Sequence, residues 1–379
     1  MLSKKIRIGF LCDINPLDRR GWSGTYYKLY ETIKKTGADV VWIPLNRPLF
    51  ANVILLFQKL FFRYFVKKRF LVMSSDISSY FYSKCALKAD EKCNLFFSIS
   101  SISLRYKLDK PVVYLTDATF KAMENYYYFN LSNYTIKWGN LIQQKALNNA
   151  DSVIVSSDWA KNSAIDDYGI FPSKISVLEF GANVDEKDID ITTEKSKEKL
   201  NLLFLGVDWK RKGGDKAVSV CEELNKMGIK TTIFIVGPKE IPQEVKDLPF
   251  VSYLGFLNKN KPEDYDKLMD IIKKCHCLLL PTIAECSAIA FAESSAFGLP
   301  VFSHNTGGVS NYVLDGKNGY LLPLSSSASD FANKMAECYN SGELNSMRVS
   351  CVEVYRNLLN WNVWQDKFEK IVENLAKNM

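Results

Sequence analysis

Short apolar runs alternate with longer stretches whose apolar positions recur every three or four residues, and the alternation happens twice along the chain. In the first half KIRIGFLC (5–12), ADVVWIP (38–44), CNLFFSI (93–99), PVVYL (111–115), SVIVS (152–156) and KISVLEF (174–180) read as strands. Helices are expected over 25–35 and 134–149, with another ending near Tyr168. A long polar run, DEKDIDITTEKSKEK (185–199), then breaks the pattern and reads as an interdomain linker. Beyond it, LNLLFLG (200–206), KTTIFIVG (230–237), FVSYLG (250–255), CHCLLLP (275–281), PVFSH (300–304) and GYLLP (319–323) repeat the strand pattern, with helical spacers between most of them. Such alternation predicts an α/β chain with parallel sheets covered by helices on both faces. Two Rossmann-like domains are therefore expected, over 1–184 and 200–360, with their sheets facing a central cleft. The last stretch, 361–379, carries Trp361, Trp364, Phe368, Ile371 and Leu375 at helical spacing, and is expected to pack back on the first domain.

One stretch departs from simple amphipathic order. ECSAIAFAE (285–293) holds a glutamate at each end and nothing charged between. On a single helix the two would sit roughly 80° apart, with no shared solvent face. Strand, turn and helix is the better reading. CHCLLL is the strand, Glu285 lies in the turn, Ser287 is the expected cap, and a helix runs over 288–297 with Gly298 as its stop. Glu293 then lies inside the helix, and both carboxylates flank the crevice where open parallel sheets bind ligands. On spacing alone, two incidental glutamates on a solvated helix fit as well.

Length supports the two-domain reading, since 379 residues exceed one ordinary core. The nine cysteines are scattered with no Cys-x-x-Cys, which suits reduced thiols in the cytoplasm. Strand alternation points Cys275 and Cys277 away from His276, and Asp188 and Asp190 fall in the solvated linker, so no metal site is expected. No signal peptide and no run of 18 uncharged apolar residues is found, so no membrane-spanning helix is expected. Charge is uneven. Residues 1–110 carry 20 Lys and Arg against 8 Asp and Glu, a net of +12, while the whole chain is at +7. That imbalance calls for an anionic neighbour, and no nucleic-acid-binding motif accompanies it. The stretch FANVILLFQKLFFRYFVKKRF (50–70) mixes large apolar side chains with Lys59, Arg63, Lys67, Lys68 and Arg69. At helical spacing Lys59, Arg63 and Lys67 make one basic stripe, as in an interfacial helix on an anionic membrane surface; an ordinary helix packed on the first domain is the alternative.

Several stretches resemble one family. PTIAECSAIAFAESSAFGLPVFSHNTGGVSNYVLDGKNGYLLP (281–323) resembles the donor-binding signature of retaining glycosyltransferases of the GT-B fold, family 4. LLFLGVDWKRKGGDKAV (202–218) resembles that family's phosphate-clamping strand and helix, KISVLEFGANVD (174–185) its domain junction, and VSYLGFL (251–257) a further strand and turn. The resemblance implies a nucleotide sugar as donor and a glycan or lipid-linked acceptor, with no cofactor and no metal. It implies that Glu293 holds the ribose hydroxyls and that Glu285 reaches hydroxyls of the transferred sugar. Gly206 and the amides of Ser287, Ala288 and Ile289 would lie along the diphosphate. Arg211 and Lys212 would stabilise charge growing on the departing diphosphate.

Two departures from the family pattern stand out. The arginine that usually follows the strand glycine is Val207 here, which leaves Arg211 to take that role. Cys-Ser-Ala follows Glu285 where glycine and an aromatic are common, so the donor sugar does not transfer with the resemblance. In the first domain GWSGT (21–25) stands at the loop that meets phosphate and sugar, with Gly24 for close approach and Ser23 and Thr25 as donors. Both histidines, His276 and His304, are in the second half, so Asp117, after YLT, is the polar residue left where the family often has a histidine. A nucleotide-sugar epimerase of the same fold and a non-catalytic nucleotide-sugar-binding protein remain alternatives. A two-domain dehydrogenase would need Gly-x-Gly-x-x-Gly after the first strand, and DRRGWSGTYY does not offer it.

Overall fold

The computed structural model describes residues 6–89, 91–196 and 198–377. Lys5 at the start of the first expected strand, Lys197 in the polar run and the last two residues of the stretch 361–379 lie outside the described residues. The chain divides into two compact units, Met1–Leu178 with Gln365–Met379, and Glu179–Trp364.

The first unit is built on six strands: β1 (Arg7–Cys12), β2 (Asp39–Pro44), β3 (Leu95–Ser98), β4 (Val112–Thr116), β5 (Ser152–Val155) and β6 (Ile175–Val177). Their order is β2-β1-β3-β4-β5-β6 and every pairing is parallel. β1 has β2 on one side and β3 on the other, so the direction of winding reverses there, and the loop after β1 opens at that switch point. The core is aromatic: Phe10 stacks on Phe97 at 5.4 Å, and Phe368 meets Phe97 edge-on at 5.6 Å. Phe368 comes from the closing helix Trp361–Ala376, whose first turn counts with the second unit and whose remainder counts with the first.

The second unit repeats the plan with β7 (Leu200–Leu205), β8 (Thr231–Val236), β9 (Val251–Gly255), β10 (Cys277–Leu280), β11 (Val301–His304) and β12 (Gly319–Leu322), in the order β12-β11-β10-β7-β8-β9, all parallel. Here the winding reverses between β7 and β10, so the loops after these two strands meet.

Three expectations need correction. The polar run 185–199 is no free linker: Tyr265 donates to Asp188 at 2.9 Å, Arg348 donates to the Ile191 carbonyl at 2.6 Å, and the run counts with the second unit. The helix expected over 288–297 is Ile289–Ala296, and its cap is Ala288 rather than Ser287, with no side-chain capping bond. The basic stretch 50–70 is not one helix. It is an α-helix, Leu49–Phe61, continued by a π-turn, Phe62–Val66, and closed by Lys67 in the left-handed region at φ 56°. The chain then reverses, because the Lys68 amide bonds back to the Phe62 carbonyl at 3.0 Å and Phe70 enters the core beside Phe62, ring to ring at 5.3 Å.

The stretch Leu49–Val66 has 18 residues at a mean hydropathy of 1.5, long and apolar enough to cross a membrane by length and composition. Its packing argues against crossing. Phe50 near one end meets Phe81 at 5.5 Å, and Phe62 near the other meets Tyr134 at 5.8 Å, so both ends lie on the same unit.

Candidate functional site

In the second unit the switch-point loops bring three predicted residues together. β7 ends at Leu205, and Gly206 starts a loop that carries Arg211 and Lys212 into the helix Gly214–Lys226. β10 ends at Leu280, and its loop carries Glu285 to the helix Ile289–Ala296. Two glycines let the loops approach. A Cβ on Gly206 would lie 2.9 Å from the Lys212 side chain, so the lysine stem crosses where any other residue would block it. Gly213 sits at φ 75°, and a Cβ there would lie 2.1 Å from the Pro281 carbonyl oxygen. Only glycine tolerates both that conformation and that approach.

The charges converge on one oxygen. The Lys212 ammonium donates to Glu285 Oε2, and Arg211 Nη1 lies 3.3 Å from the same atom. Arg211 also donates to the Ala284 carbonyl at 2.9 Å, and Asp208 flanks it at 3.6 Å. Glu285 and Lys212 are both buried. Burying these charges is tolerable only because they pair. Two cations thus meet one buried carboxylate, while Asp208 sits exposed at the edge of the cluster. The buried helix start at Ala288 and Ile289 adjoins Glu285, and Ser287 is buried beside it. Val207 is exposed, and Arg211 is the guanidinium at the cluster.

Glu293 is buried in the first two turns of the helix Ile289–Ala296. Its partner is one the sequence did not flag: Lys259, on the turn after β9, donates to Glu293 Oε1 at 2.5 Å. No periodic spacing links residues 34 apart, so nothing in the pattern marks this pair. Next to Glu293 the Ser294 hydroxyl is buried with no hydrogen-bond partner.

Behind the cluster, His304 Nδ1 faces the Thr282 carbonyl at 3.1 Å and Nε2 faces the Lys216 ammonium at 3.1 Å. The first contact requires a donor and the second an acceptor, so the ring is neutral. Burial lowers its pKa from the ordinary 6.5, and Lys216 adds to the effect. His276 is neutral for the mirror reason. Its Nδ1 accepts from the Asn201 amide at 2.9 Å and its Nε2 donates to the Ser196 carbonyl at 2.8 Å, while burial depresses its pKa.

In the first unit, Gly24, Ser23 and Thr25 form the loop and helix start after β1. Trp22, Ser23 and Gly24 all take positive φ, at 47°, 56° and 91°, a run that is costly for the two non-glycine residues. Ser23 is exposed, and Thr25 is fully buried as the first residue of the helix Thr25–Lys35. Asp117 is half-buried just past β4. It lies close enough to Tyr26 that, after burial, the charges of Cys12, Asp13 and Asp117 push the Tyr26 phenol up. Asp13 is itself raised, mainly by burial. Asp117 and the loop after β1 thus share one electrostatic neighbourhood, which Asp13 joins.

The two six-stranded parallel sheets define the fold class, GT-B. Sucrose-phosphate synthase from Thermosynechococcus elongatus superposes with a TM-score of 0.73 at 14% identity, covering 99% of this chain and 100% of that one. Anabaena HepE in complex with UDP-glucose superposes at 0.65 and 14% identity, covering 97% and 100%. Residues 185–353, somewhat under half of the chain, match the model of the family glycosyl transferases group 1. A D-inositol 3-phosphate glycosyltransferase of Corynebacterium aurimucosum is 24% identical over 253 residues, 62% of this chain and 59% of that protein. An uncharacterized 41.2 kDa protein in the cps region of Klebsiella pneumoniae is 25% identical over 253 residues, 63% and 66% of the two chains. The chain thus spans about three fifths to two thirds of the length of these relatives.

Proposed function

We propose that the chain is a retaining glycosyltransferase that moves a sugar from a nucleoside diphosphate sugar to a glycan or lipid-linked acceptor at the cytoplasmic side, in cell-surface polysaccharide or glycoconjugate synthesis. The observation that carries the reading is the pair of cations, Lys212 and Arg211, held on one Glu285 oxygen at the switch point of the second sheet. Cleaving a nucleotide sugar leaves a diphosphate with new negative charge. Cations fixed beside it stabilise that charge more in the transition state than in the bound donor, which is what lowers a barrier. In this reading Lys212 and Arg211 supply that charge without a metal. Arg211 stands in for the arginine replaced by Val207, and the amides at Ser287, Ala288 and Ile289 add their dipoles. Gly206 lets the Lys212 stem pass and its backbone lies along the diphosphate, Glu293 holds the ribose, and Glu285 reaches the sugar. Gly24, Ser23, Thr25 and Asp117 are the residues of the first unit assigned to binding donor or acceptor. The departing phosphate takes the acceptor proton on the same face, so no enzyme nucleophile is required. The complexes of HepE with UDP and UDP-glucose support a nucleotide-sugar donor.

A nucleotide-release screen tests this. UDP-, GDP- and ADP-sugars are offered with and without acceptor fractions from membranes. One donor should release nucleotide faster when acceptor is present. Interconversion of the sugar with no acceptor dependence would indicate an epimerase, and binding without release a non-catalytic protein.

A further inference from the structure

The stretch Leu49–Val66 presents more apolar surface than the protein covers. Only Ala51 and Leu55 are buried, with Gln58 and Phe62 half-buried beside them. At about 100° per residue these four fall within an arc of roughly 60°. Leu49, Val53, Leu56 and Leu60 point the opposite way, and Leu49 is 79% exposed. Phe57, Phe61 and Phe65 form a ridge along one side; Phe61 and Phe65 stack at 5.6 Å, and Phe65 is 80% exposed. A helix apolar on nearly every face is normally buried. Here 11% of the stretch is buried, so its outer face needs an apolar phase.

The other side supplies the polarity of that phase. Lys59, Arg63, Lys67, Lys68 and Arg69 converge with Asn130 on one hollow of about 550 Å³. The stripe expected on one helix is thus folded into a pocket by the left-handed turn at Lys67. Asn130, also left-handed at φ 55°, donates its side-chain amide to the Lys67 carbonyl at 3.2 Å and accepts from the Arg69 amide at 2.7 Å. Two residues in that costly conformation lock the turn. No Asp or Glu occurs between Asp39 and Asp76, and among the described residues none of the five cations makes an ion pair. Five unneutralised cations beside an exposed apolar ridge match an anionic bilayer in both charge and polarity.

We propose that Leu49–Val66 lies in the plane of a membrane surface, with its aromatic ridge among the acyl chains, and that the hollow takes the phosphate of an anionic lipid headgroup. The inference does not depend on the transfer reaction, because it needs neither donor nor acceptor.

Co-sedimentation of the full chain with phosphatidylcholine vesicles, with and without phosphatidylglycerol, tests it. Wild-type protein should pellet with the anionic vesicles, bind neutral ones at least tenfold more weakly, and dissociate as sodium chloride rises. The triple variant Arg63→Gln, Lys67→Gln, Lys68→Gln should lose roughly a hundredfold in partition coefficient. Phe57→Ser with Phe65→Ser should lose at least tenfold. A control triple of exposed cations in the second unit, Lys230→Gln, Lys239→Gln, Lys317→Gln, should lose less than a few-fold. All the substituted side chains are exposed, and unchanged melting temperatures establish that the variants fold. Wild-type protein left in the supernatant at low salt overturns the proposal. So does an equal loss in the control triple, which would make binding a matter of net charge. Release by inorganic phosphate beyond that caused by sodium chloride at matched ionic strength would assign the hollow to a free anion. A concentration-dependent dimer that Phe57→Ser with Phe65→Ser disperses would assign the ridge to a second copy of the chain.

Discussion

Replacing Lys212 by methionine separates what the ammonium does for the fold from what it does for the reaction. Methionine keeps most of the stem that crosses Gly206, where the lysine carbons fill the space a Cβ would take, and removes only the charge. Breaking a buried ion pair by removing one partner typically costs about 3–5 kcal/mol, because the survivor is left unpaired. Glu285 would not be unpaired, since Arg211 remains 3.3 Å from the same oxygen. The stability cost should therefore stay near 2 kcal/mol, and the melting temperature should fall by about 4–8 °C for a unit of this size. Turnover should fall further. A preorganised cation beside developing charge is worth about 3 kcal/mol, so nucleotide release per folded molecule should drop roughly a hundredfold. Calorimetry should show a much smaller change in affinity for the intact donor, because the charge on the diphosphate grows in the transition state. Turnover within a few-fold of wild type in the folded fraction would refute the assignment, and an equal loss in donor affinity and turnover would reduce Lys212 to a binding residue.

Other variants test the neighbouring groups. Glu293→Ala should weaken free nucleoside diphosphate by at least tenfold, whereas Glu285→Gln should bind it as well as wild type or better while harming use of the whole donor; equal losses would mean the two roles are wrongly divided. Lys259→Met leaves the buried Glu293 carboxylate without its 2.5 Å donor, so the ligand-free protein should melt lower, and nucleoside diphosphate should raise its melting temperature by more than it does in wild type. Equal ligand-induced shifts would show that ribose and Lys259 do not share the carboxylate. Folding lowers the pKa of His276 and His304 below 6.5, so the unfolded chain binds more protons, and stability present above that value is lost as pH falls toward the folded pKa values. At about pH 5.5 the two together cost up to about 3 kcal/mol; a double His→Asn variant with the same loss of melting temperature between neutral pH and that point would contradict this.

Much of this fold was legible because its inner strands, such as β3, β4, β10 and β11, are buried along nearly their whole length and read as short apolar runs, and the twelve runs read as strands in the sequence correspond to twelve strands in two parallel sheets. Glu285 and Glu293 were legible because a strand, a turn and a short helix leave little freedom between them. What the pattern missed is contact between distant loops. Lys259 meets Glu293 across the turn after β9, and His304 meets Lys216 from β11 to the helix after β7; neither pair has a spacing that a periodic pattern marks. Ser287 looked like a cap because it precedes an apolar run. The helix begins two residues later, since Ala288 at ψ 97° is still extended. The stretch 50–70 misled most: at uniform helical spacing its cations form a stripe, but spacing cannot register that Lys67 takes the left-handed conformation and reverses the chain.

The clamp and the first glutamate were read from the sequence as separate functions, one for phosphate and one for sugar. Their geometry couples them. Glu285 pairs with Lys212 and Arg211 before any ligand arrives, so it holds the buried Lys212 and the half-buried Arg211 at the switch point. The carboxylate also competes with a diphosphate for the same two cations. A donor that places a sugar hydroxyl on Glu285 satisfies the carboxylate by hydrogen bonding and frees the cations for phosphate, whereas a nucleoside diphosphate alone does not. In the proposed reaction the intact donor therefore meets a fully charged clamp, and the nucleotide left after the sugar departs meets one that Glu285 reclaims. In that reaction a single buried carboxylate between two cations thus favours release of the nucleotide once the sugar has left.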